Sequence, residues 1–204
     1  MAPYTPLRRP RAYFEARGFL VRPALLAVTV AVLAVGGAFI GFAVLLEDRL
    51  RSAGHGDAAA AVWDVFVGYL FGIVVALFVG WVLAAAVTHL LARAFVGHDG
   101  EFTDTLAVVG WGTAPTVLTS LIAFAFLASA LGDASMASPR TFTEQFERNL
   151  ATSQFVQAAV SFVVAAWQTY FYGVGLSVAF DADYYRCAAV GGVVAYGGWL
   201  LSLF

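Results

Sequence analysis

Residues 65–87 carry no charged side chain, and every one of them is apolar, aromatic or glycine. A helix rises 1.5 Å per residue, so a run of this length covers roughly 35 Å. The hydrocarbon core of a bilayer is about 30 Å thick. The run therefore predicts a helix that crosses a membrane.

The composition of the whole chain leads to the same conclusion. Of its 204 residues, 61% are hydrophobic and 12% are charged, and the mean hydropathy is +0.83. An ordinary soluble domain is about 45–50% apolar and about 25% charged. A monomer of this size cannot keep water away from so much apolar surface, so lipid must cover it. The length suits one membrane domain and leaves no room for a separate catalytic domain.

Five apolar runs follow one another along the chain. They predict an all-α, polytopic membrane protein, namely a bundle of five transmembrane helices with short interfacial helices. Pro115 lies inside the third run and predicts a kink there. Because the loop 181–186 is short, we expect the fourth and fifth helices to be antiparallel neighbours. The predicted membrane domain is 24–204, with spans at about 24–46, 62–91, 105–131, 155–180 and 187–204.

The segment 1–23 precedes the first span and is basic. It is predicted to be cytoplasmic or interfacial, with a short helix in which Tyr13 and Phe14 enter the lipid and the arginines face the headgroups. With the N-terminus inside, seven arginines lie in cytoplasmic segments and four in outer segments. The positive-inside rule then favours a cytoplasmic N-terminus and an external C-terminus. We therefore expect a multi-pass protein of the cell (plasma) membrane.

The longest predicted loop, 132–154, contains a second amphipathic segment. Ser138 followed by Pro139 has the pattern of a helix start, and Phe142, Phe146 and Leu150 recur every four residues. This pattern predicts a short helix that lies on the membrane surface.

One stretch carries more information than its hydropathy. It reads Thr-His-Leu-Leu-Ala-Arg-Ala-Phe from Thr88, Gly-Glu-Phe-Thr-Asp-Thr-Leu from Gly100, and Gly-Trp-Gly-Thr-Ala-Pro from Gly110. It resembles the core of the Yip family (Ypt-interacting proteins) and is similar to members of prokaryotic or archaeal type. The resemblance is carried by His89, Gly97, Phe102, Thr105, Gly110, Trp111 and Pro115.

The resemblance implies a five-span membrane protein whose prokaryotic members have no established biochemical activity. Eukaryotic members are linked to Rab-type GTPases, vesicle traffic and membrane shaping, and they carry an acidic-aromatic-glycine motif before the first span. This chain has a short basic N-terminus instead, so a Rab-type GTPase is not an expected partner.

Two polar residues in the predicted spans are candidate functional positions. Asp64, at the start of the second span, is either a proton or ion site or a structural acid at a helix N-terminus that Arg49 or Arg51 neutralises. Gln168, near the middle of the fourth span, either lines a substrate path or bonds to another helix. We favour the structural interpretation for both residues.

Histidines and acids also gather between the second and third spans. They could hold a divalent metal, but they lack a recognised ligand spacing, so a solvated polar loop is favoured and no metal or cofactor is predicted. These residues are His89, His98, Asp99, Glu101 and Asp104.

Two pairs of glycines have the four-residue spacing of close helix contacts. Gly37 with Gly41, and Gly68 with Gly72, predict packing either inside the monomer or between two copies.

No nucleophile elbow, zinc-protease motif or phosphate loop occurs in the sequence, so no catalytic residue is predicted. The net charge of −2 leaves no basic footprint for nucleic acid. We therefore expect a non-enzymatic membrane-organising or partner-binding scaffold, with the lipid bilayer and a second copy or another membrane protein as partners. The alternative is a small oligomeric transporter or channel with a polar path near helices two to four.

Overall fold

The computed structural model describes residues 3–201, and no strand occurs among them. Their regular structure is a succession of seven helices: α1 (Pro10–Arg17), α2 (Val21–Ser52), α3 (Gly56–Phe95), α4 (Phe102–Trp111), α5 (Thr116–Asp133), α6 (Pro139–Ala179) and α7 (Tyr184–Leu201).

Four helical stretches of the described chain are long and apolar enough to cross a membrane. They are α2, α3, α6, and α4 with α5 taken together, with mean hydropathies from 1.4 to 2.7. The predicted all-α membrane architecture is thereby confirmed. The predicted fifth span, 187–204, overlaps α7, which is not among these four. Because residues 202–204 lie outside the described part, the fifth span stays a prediction.

The chain divides into two compact units. Unit 1 comprises Met1–Ala31, Leu77–Pro115 and Ser161–Phe204, and unit 2 comprises Val32–Ala76 and Thr116–Val160. The whole Yip-like stretch falls within unit 1.

The predicted loop 132–154 is wrong over most of its length, because α6 runs without interruption from Pro139 to Ala179. No glycine or proline occurs between residues 140 and 172, so nothing in the backbone ends the helix between its polar and apolar parts. The predicted start is confirmed: the Thr141 backbone N–H donates to the Ser138 hydroxyl at 3.2 Å.

The apolar face of this first part of α6 packs within unit 2. The Phe146 ring stacks on Phe142 at 5.5 Å and lies 5.9 Å from the ring of Phe42 in α2. The separate surface helix expected here is therefore the first part of a long packed helix.

Two side chains of unit 2, Arg49 and His55, form hydrogen bonds with carbonyl oxygens at and just after the C-terminal end of α5. The Arg49 guanidinium donates to the carbonyl oxygens of Leu131, Gly132 and Ala134, at 3.4, 2.6 and 3.3 Å. Carbonyls at a helix end lack some of their intrahelical partners, and a cation there also suits the helix dipole. His55 Nε2 donates to the Met136 carbonyl at 2.8 Å and so holds the following turn.

The prediction that Tyr13 and Phe14 of α1 enter the lipid is wrong. Each side chain is only 2% exposed. The ring of Tyr13 lies 5.9 Å from Trp111, and that of Phe14 lies 6.0 Å from Phe171. An apolar helix face is equally suited to lipid or protein, and here unit 1 covers it.

In unit 1, α6 and α7 pack as antiparallel neighbours, as the short loop predicts. A methyl group added at Gly173 would lie 2.8 Å from the Ala188 Cβ, and one at Gly191 would lie 2.7 Å from the Tyr172 Cβ. Asp183 caps α7, because its Oδ1 accepts the backbone N–H groups of Tyr185 and Arg186 at 3.0 and 3.2 Å.

The two glycine pairs differ in their surroundings. A methyl group at Gly41 would lie 3.0 Å from the Phe124 ring, so this glycine permits a close contact inside unit 2. Methyl groups at Gly37, Gly68 and Gly72 would meet no atom within 4 Å. The second pair therefore takes no part in packing within the described chain.

The fifth span can be tested by the topology of the protein. Five spans place the two chain ends on opposite sides of the membrane, whereas four place them on the same side. In sealed right-side-out vesicles, we expect added protease to remove an epitope at the C-terminus and to leave one at the N-terminus. Two epitopes that are both protected until detergent is added would contradict the fifth span.

Candidate functional site

The motif residues come together in unit 1, around the C-terminal part of α3. His89 is 9% exposed, and a hydrogen bond of 3.1 Å joins its Nδ1 to the hydroxyl of Thr105, which is fully buried in α4. The bond ties two helices at positions that are sixteen residues apart. The Thr105 hydroxyl also lies 3.5 Å from the Glu101 carbonyl, its acceptor one turn earlier.

Aromatic rings surround the His89 imidazole. The ring of Phe102 stands edge-on at 5.7 Å, and that of Phe180 lies at 5.8 Å. Phe180 also lies against Gly100, where a methyl group would approach the ring to 2.6 Å. Gly100 is therefore required by the closeness of the ring, since any side chain there would displace Phe180.

Gly110 allows α2 and α3 to lie close to α4. A methyl group at this position would lie 3.0 Å from the Ala24 Cβ and 3.1 Å from Trp81 Nε1. The Trp81 indole N–H in turn donates to the Leu106 carbonyl at 3.1 Å. The unit 1 portions of α2 and α3 are thus held directly against α4.

The kink predicted near Pro115 is a complete break between α4 and α5. Proline has no N–H to offer the Trp111 carbonyl, which accepts instead from the Ala114 N–H at 3.1 Å. The Gly110 carbonyl accepts from the Thr113 hydroxyl at 2.7 Å. In unit 1, the Gly112 carbonyl accepts from Gln168 Nε2 of α6 at 2.9 Å. Gln168 of α6 therefore bonds to the turn that follows α4.

Tyr172 closes the site from α6. Its side chain is 4% exposed, and its ring occupies the space that any side chain at Gly112 would need. On the same helix, a methyl group at Gly175 would lie 2.7 Å from Val108. Neither Tyr172 nor Gly175 is among the site residues predicted from the sequence. The Gly-x-Gly spacing of residues 173–175 is the one signal that points to them.

Trp111 is the member of the motif with an unusual feature. Its indole N–H is buried and has no hydrogen-bond partner among the described residues. Its ring packs edge-on against Tyr13 of α1 at 5.9 Å. Gly97 lies apart from these contacts, in the turn after α3, where its N–H donates to the Ala92 carbonyl at 3.2 Å.

Asp64 belongs to unit 2, and its side chain is exposed. Neither arginine proposed to neutralise it does so. Arg49 donates to carbonyls at the end of α5, and Arg51 pairs with Glu47 at 2.5 Å. Within residues 3–201, Asp64 forms no ion pair.

The histidines and acids between α3 and α4 do not converge. In the part of the chain that the structure describes, no three His, Cys, Asp or Glu side chains come close enough to share a metal ion. His98, Asp99 and Glu101 are exposed, whereas His89 points to Thr105. This arrangement has the character of a polar turn between two helices.

The fold and this site define a multi-pass helical membrane protein whose distinctive residues join its helices to one another. The family model of the Yip1 domain matches residues 6–204, so the chain belongs to the Yip1-domain family. No curated protein and no solved structure matches the chain.

Alanine at Gly112 tests the contact with Tyr172. Gly112 has helical angles (φ −63°, ψ −13°), so the backbone accepts alanine and the cost comes from overlap with the ring. We expect a loss of about 1–3 kcal/mol, measured as a lower Tm in detergent. Gly68→Ala is the matched control, because its methyl group meets open space and alanine favours a helix. Equal Tm changes in the two variants would contradict the proposed contact.

A double-mutant cycle of His89→Ala and Thr105→Val tests their hydrogen bond. Polar bonds between membrane helices contribute about 0.6 kcal/mol, with a maximum of about 1.7. We expect a coupling free energy in this range from denaturant unfolding in detergent micelles. His98→Ala combined with Thr105→Val is the control, since His98 is exposed. Coupling that is equal in both cycles would mean that the His89–Thr105 bond contributes nothing specific.

Proposed function

We propose that this chain is a non-enzymatic scaffold of the cell membrane, which organises lipid or a partner protein through a basic surface at its N-terminus. In this proposal the N-terminus lies in the cytoplasm and the C-terminus outside. The observation that supports this proposal is the packing of α1 against other helices of unit 1.

The attachment fixes the position of the N-terminal segment. Tyr13 and Phe14 are buried against Trp111 and Phe171, and Phe14 also stacks on Phe19 at 4.8 Å. Because α1 is too short to be stable alone, these ring contacts stabilise it. The segment is therefore presented in one orientation.

The N-terminal segment is also basic. Five arginines against one glutamate leave a charge of +4, and every one of the arginines is exposed. Each arginine near an anionic membrane surface contributes about 1 kcal/mol of attraction. A fixed cationic surface suits anionic headgroups or an acidic partner. The arginines are Arg8, Arg9, Arg11, Arg17 and Arg22.

The polar groups of unit 1 support a scaffold over a transporter. The Gln168 amide is bonded to the Gly112 carbonyl, and His89 is bonded to Thr105. These two side chains are the best suited to bind a polar solute, and both form hydrogen bonds within the protein instead. The Yip1-domain family is not known as enzymatic, which supports a function without catalysis. The open face at Gly68 and Gly72 would accept a second copy or another membrane helix.

One observation favours the second candidate, a small transporter or channel. In unit 2, a cavity of about 220 Å³ lies between α5 and α6. Asn149 reaches from this wall to the Ala130 carbonyl at 3.2 Å. The polar side chains of this cavity, which lies between predicted spans, offer hydrogen-bond donors and acceptors to a small polar solute. Its polar lining consists of Ser129, Asp133, Asn149, Thr152 and Ser153.

Reconstitution into liposomes tests the scaffold. We expect wild-type protein to shift vesicles with anionic lipid toward smaller or tubular shapes in cryo-electron micrographs, and neutral vesicles less. Replacing the five N-terminal arginines with glutamine removes most of the attraction and should abolish the difference between the two lipids. Arg140→Gln with Arg148→Gln, the same substitution at two arginines outside the basic surface, is compared with Arg8→Gln with Arg9→Gln, which removes an equal charge from within it.

Two results would overturn the proposal. One is that wild-type protein changes neither vesicle shape nor the recruitment of any acidic partner. The other is that the same vesicles, loaded with small polar solutes, release them only when the protein is present and lose this release with Asn149→Leu, which would establish the transporter instead.

A further inference from the structure

A cavity of about 480 Å³ lies in unit 1 between the end of α3 and the first half of α7. This volume is in the range of sites for small molecules, roughly 300–1,000 Å³. Five of its six lining side chains are apolar, and the sixth is an arginine. The lining residues are Leu91, Phe95, Arg186, Ala189, Val190 and Val193.

The apolar and charged parts of the cavity are separated along α7. Arg186 lies in the first turn of this helix, and Val193 lies seven residues further on, which is about 10 Å along the axis. Leu91 and Phe95 form the opposite wall from the last turns of α3. The cavity is thus an apolar groove with a cation at one end.

Arg186 is free to bind an external anion. Its side chain is exposed and forms no ion pair with any residue from 3 to 201. Its nearest acid in sequence, Asp183, directs Oδ1 to the backbone N–H groups that begin α7. Asp181 belongs to the same turn and is exposed, so it moderates the positive potential without pairing with the guanidinium.

We propose that this groove binds an anionic membrane phospholipid, with an acyl chain along the apolar wall and the phosphate group on Arg186. The occupant is a lipid, because a free anion would leave the five apolar side chains uncovered. The headgroup is anionic, because a guanidinium binds phosphate in a bidentate manner and no acid of the lining would bind the amine of a zwitterionic lipid. This inference is independent of the scaffold proposal, which depends on other arginines.

Native mass spectrometry of the purified full chain in detergent tests the site. The probes are phosphatidylglycerol and phosphatidylcholine with identical acyl chains, and glycerol phosphate as the headgroup alone. We expect phosphatidylglycerol to bind best and glycerol phosphate not to bind. Arg186→Gln should weaken phosphatidylglycerol about tenfold, the usual effect of losing one charged hydrogen-bonding group, and Arg186→Lys should restore part of it.

Arg93→Gln is the matched control, since Arg93 is an exposed arginine in the last turn of α3 that does not line the groove. Ala189→Leu fills the groove and should weaken both lipids while Arg186 is intact. The proposal is overturned if Arg93→Gln and Arg186→Gln weaken binding equally, if Ala189→Leu changes nothing, or if both lipids bind equally to the wild type. None of these readouts depends on vesicle shape, so this site and the scaffold function can fail separately.

Discussion

A helix that breaks inside an apolar span must supply a partner for every carbonyl that the break releases, because lipid offers none. In this protein that requirement is met at residues 112–115 by a short set of bonds. Thr113 and Ala114, which lie in the break, donate two of these bonds. Gln168 of α6 donates the third. The break is therefore possible only where α6 lies close to α4.

The glycines of the site follow from that closeness. Gln168 bonds to the Gly112 carbonyl, and the ring of Tyr172, one turn further along α6, lies against the same residue. A side chain at position 112 would separate the helices and leave the carbonyl without its donor. Steric and hydrogen-bonding requirements thus select the same residue. The His89–Thr105 bond and the Gly100–Phe180 contact repeat this combination at the other end of α4.

Much of this architecture can be predicted from sequence, because lipid imposes long apolar runs and proline imposes a break. The start of α6 at Pro139 is predictable for the same kind of local reason. What cannot be predicted is which surface covers an apolar face. Phe14 has the same helical pattern whether it faces lipid or Phe171, and only packing decides between them.

The candidate site, like the fold, can be predicted from the sequence only in part. The stretch from His89 to Pro115 stands out as a motif, but its partners on α6 lie more than fifty residues away, and the sequence does not pair them with it. The helix that contains the predicted fourth span begins at Pro139, earlier than the polarity of residues 139–154 indicates. Thr152 and Gln154 resemble a loop in composition, yet neither residue breaks a helix, and no glycine or proline occurs between residues 140 and 172.

The helix α7 differs from the four candidate spans, because it does not reach the mean hydropathy that they have in common. Its buried residues include Cys187, Gly191 and Ala195, which lie on one face at helical spacing. Gly191 packs against Tyr172 of α6, so this face is covered by protein. A helix in contact with lipid on one side needs fewer large apolar side chains than one that lipid surrounds, and small residues improve its contact with a neighbour. Low hydropathy in α7 is therefore what close packing against α6 would produce, and it is compatible with a fifth span.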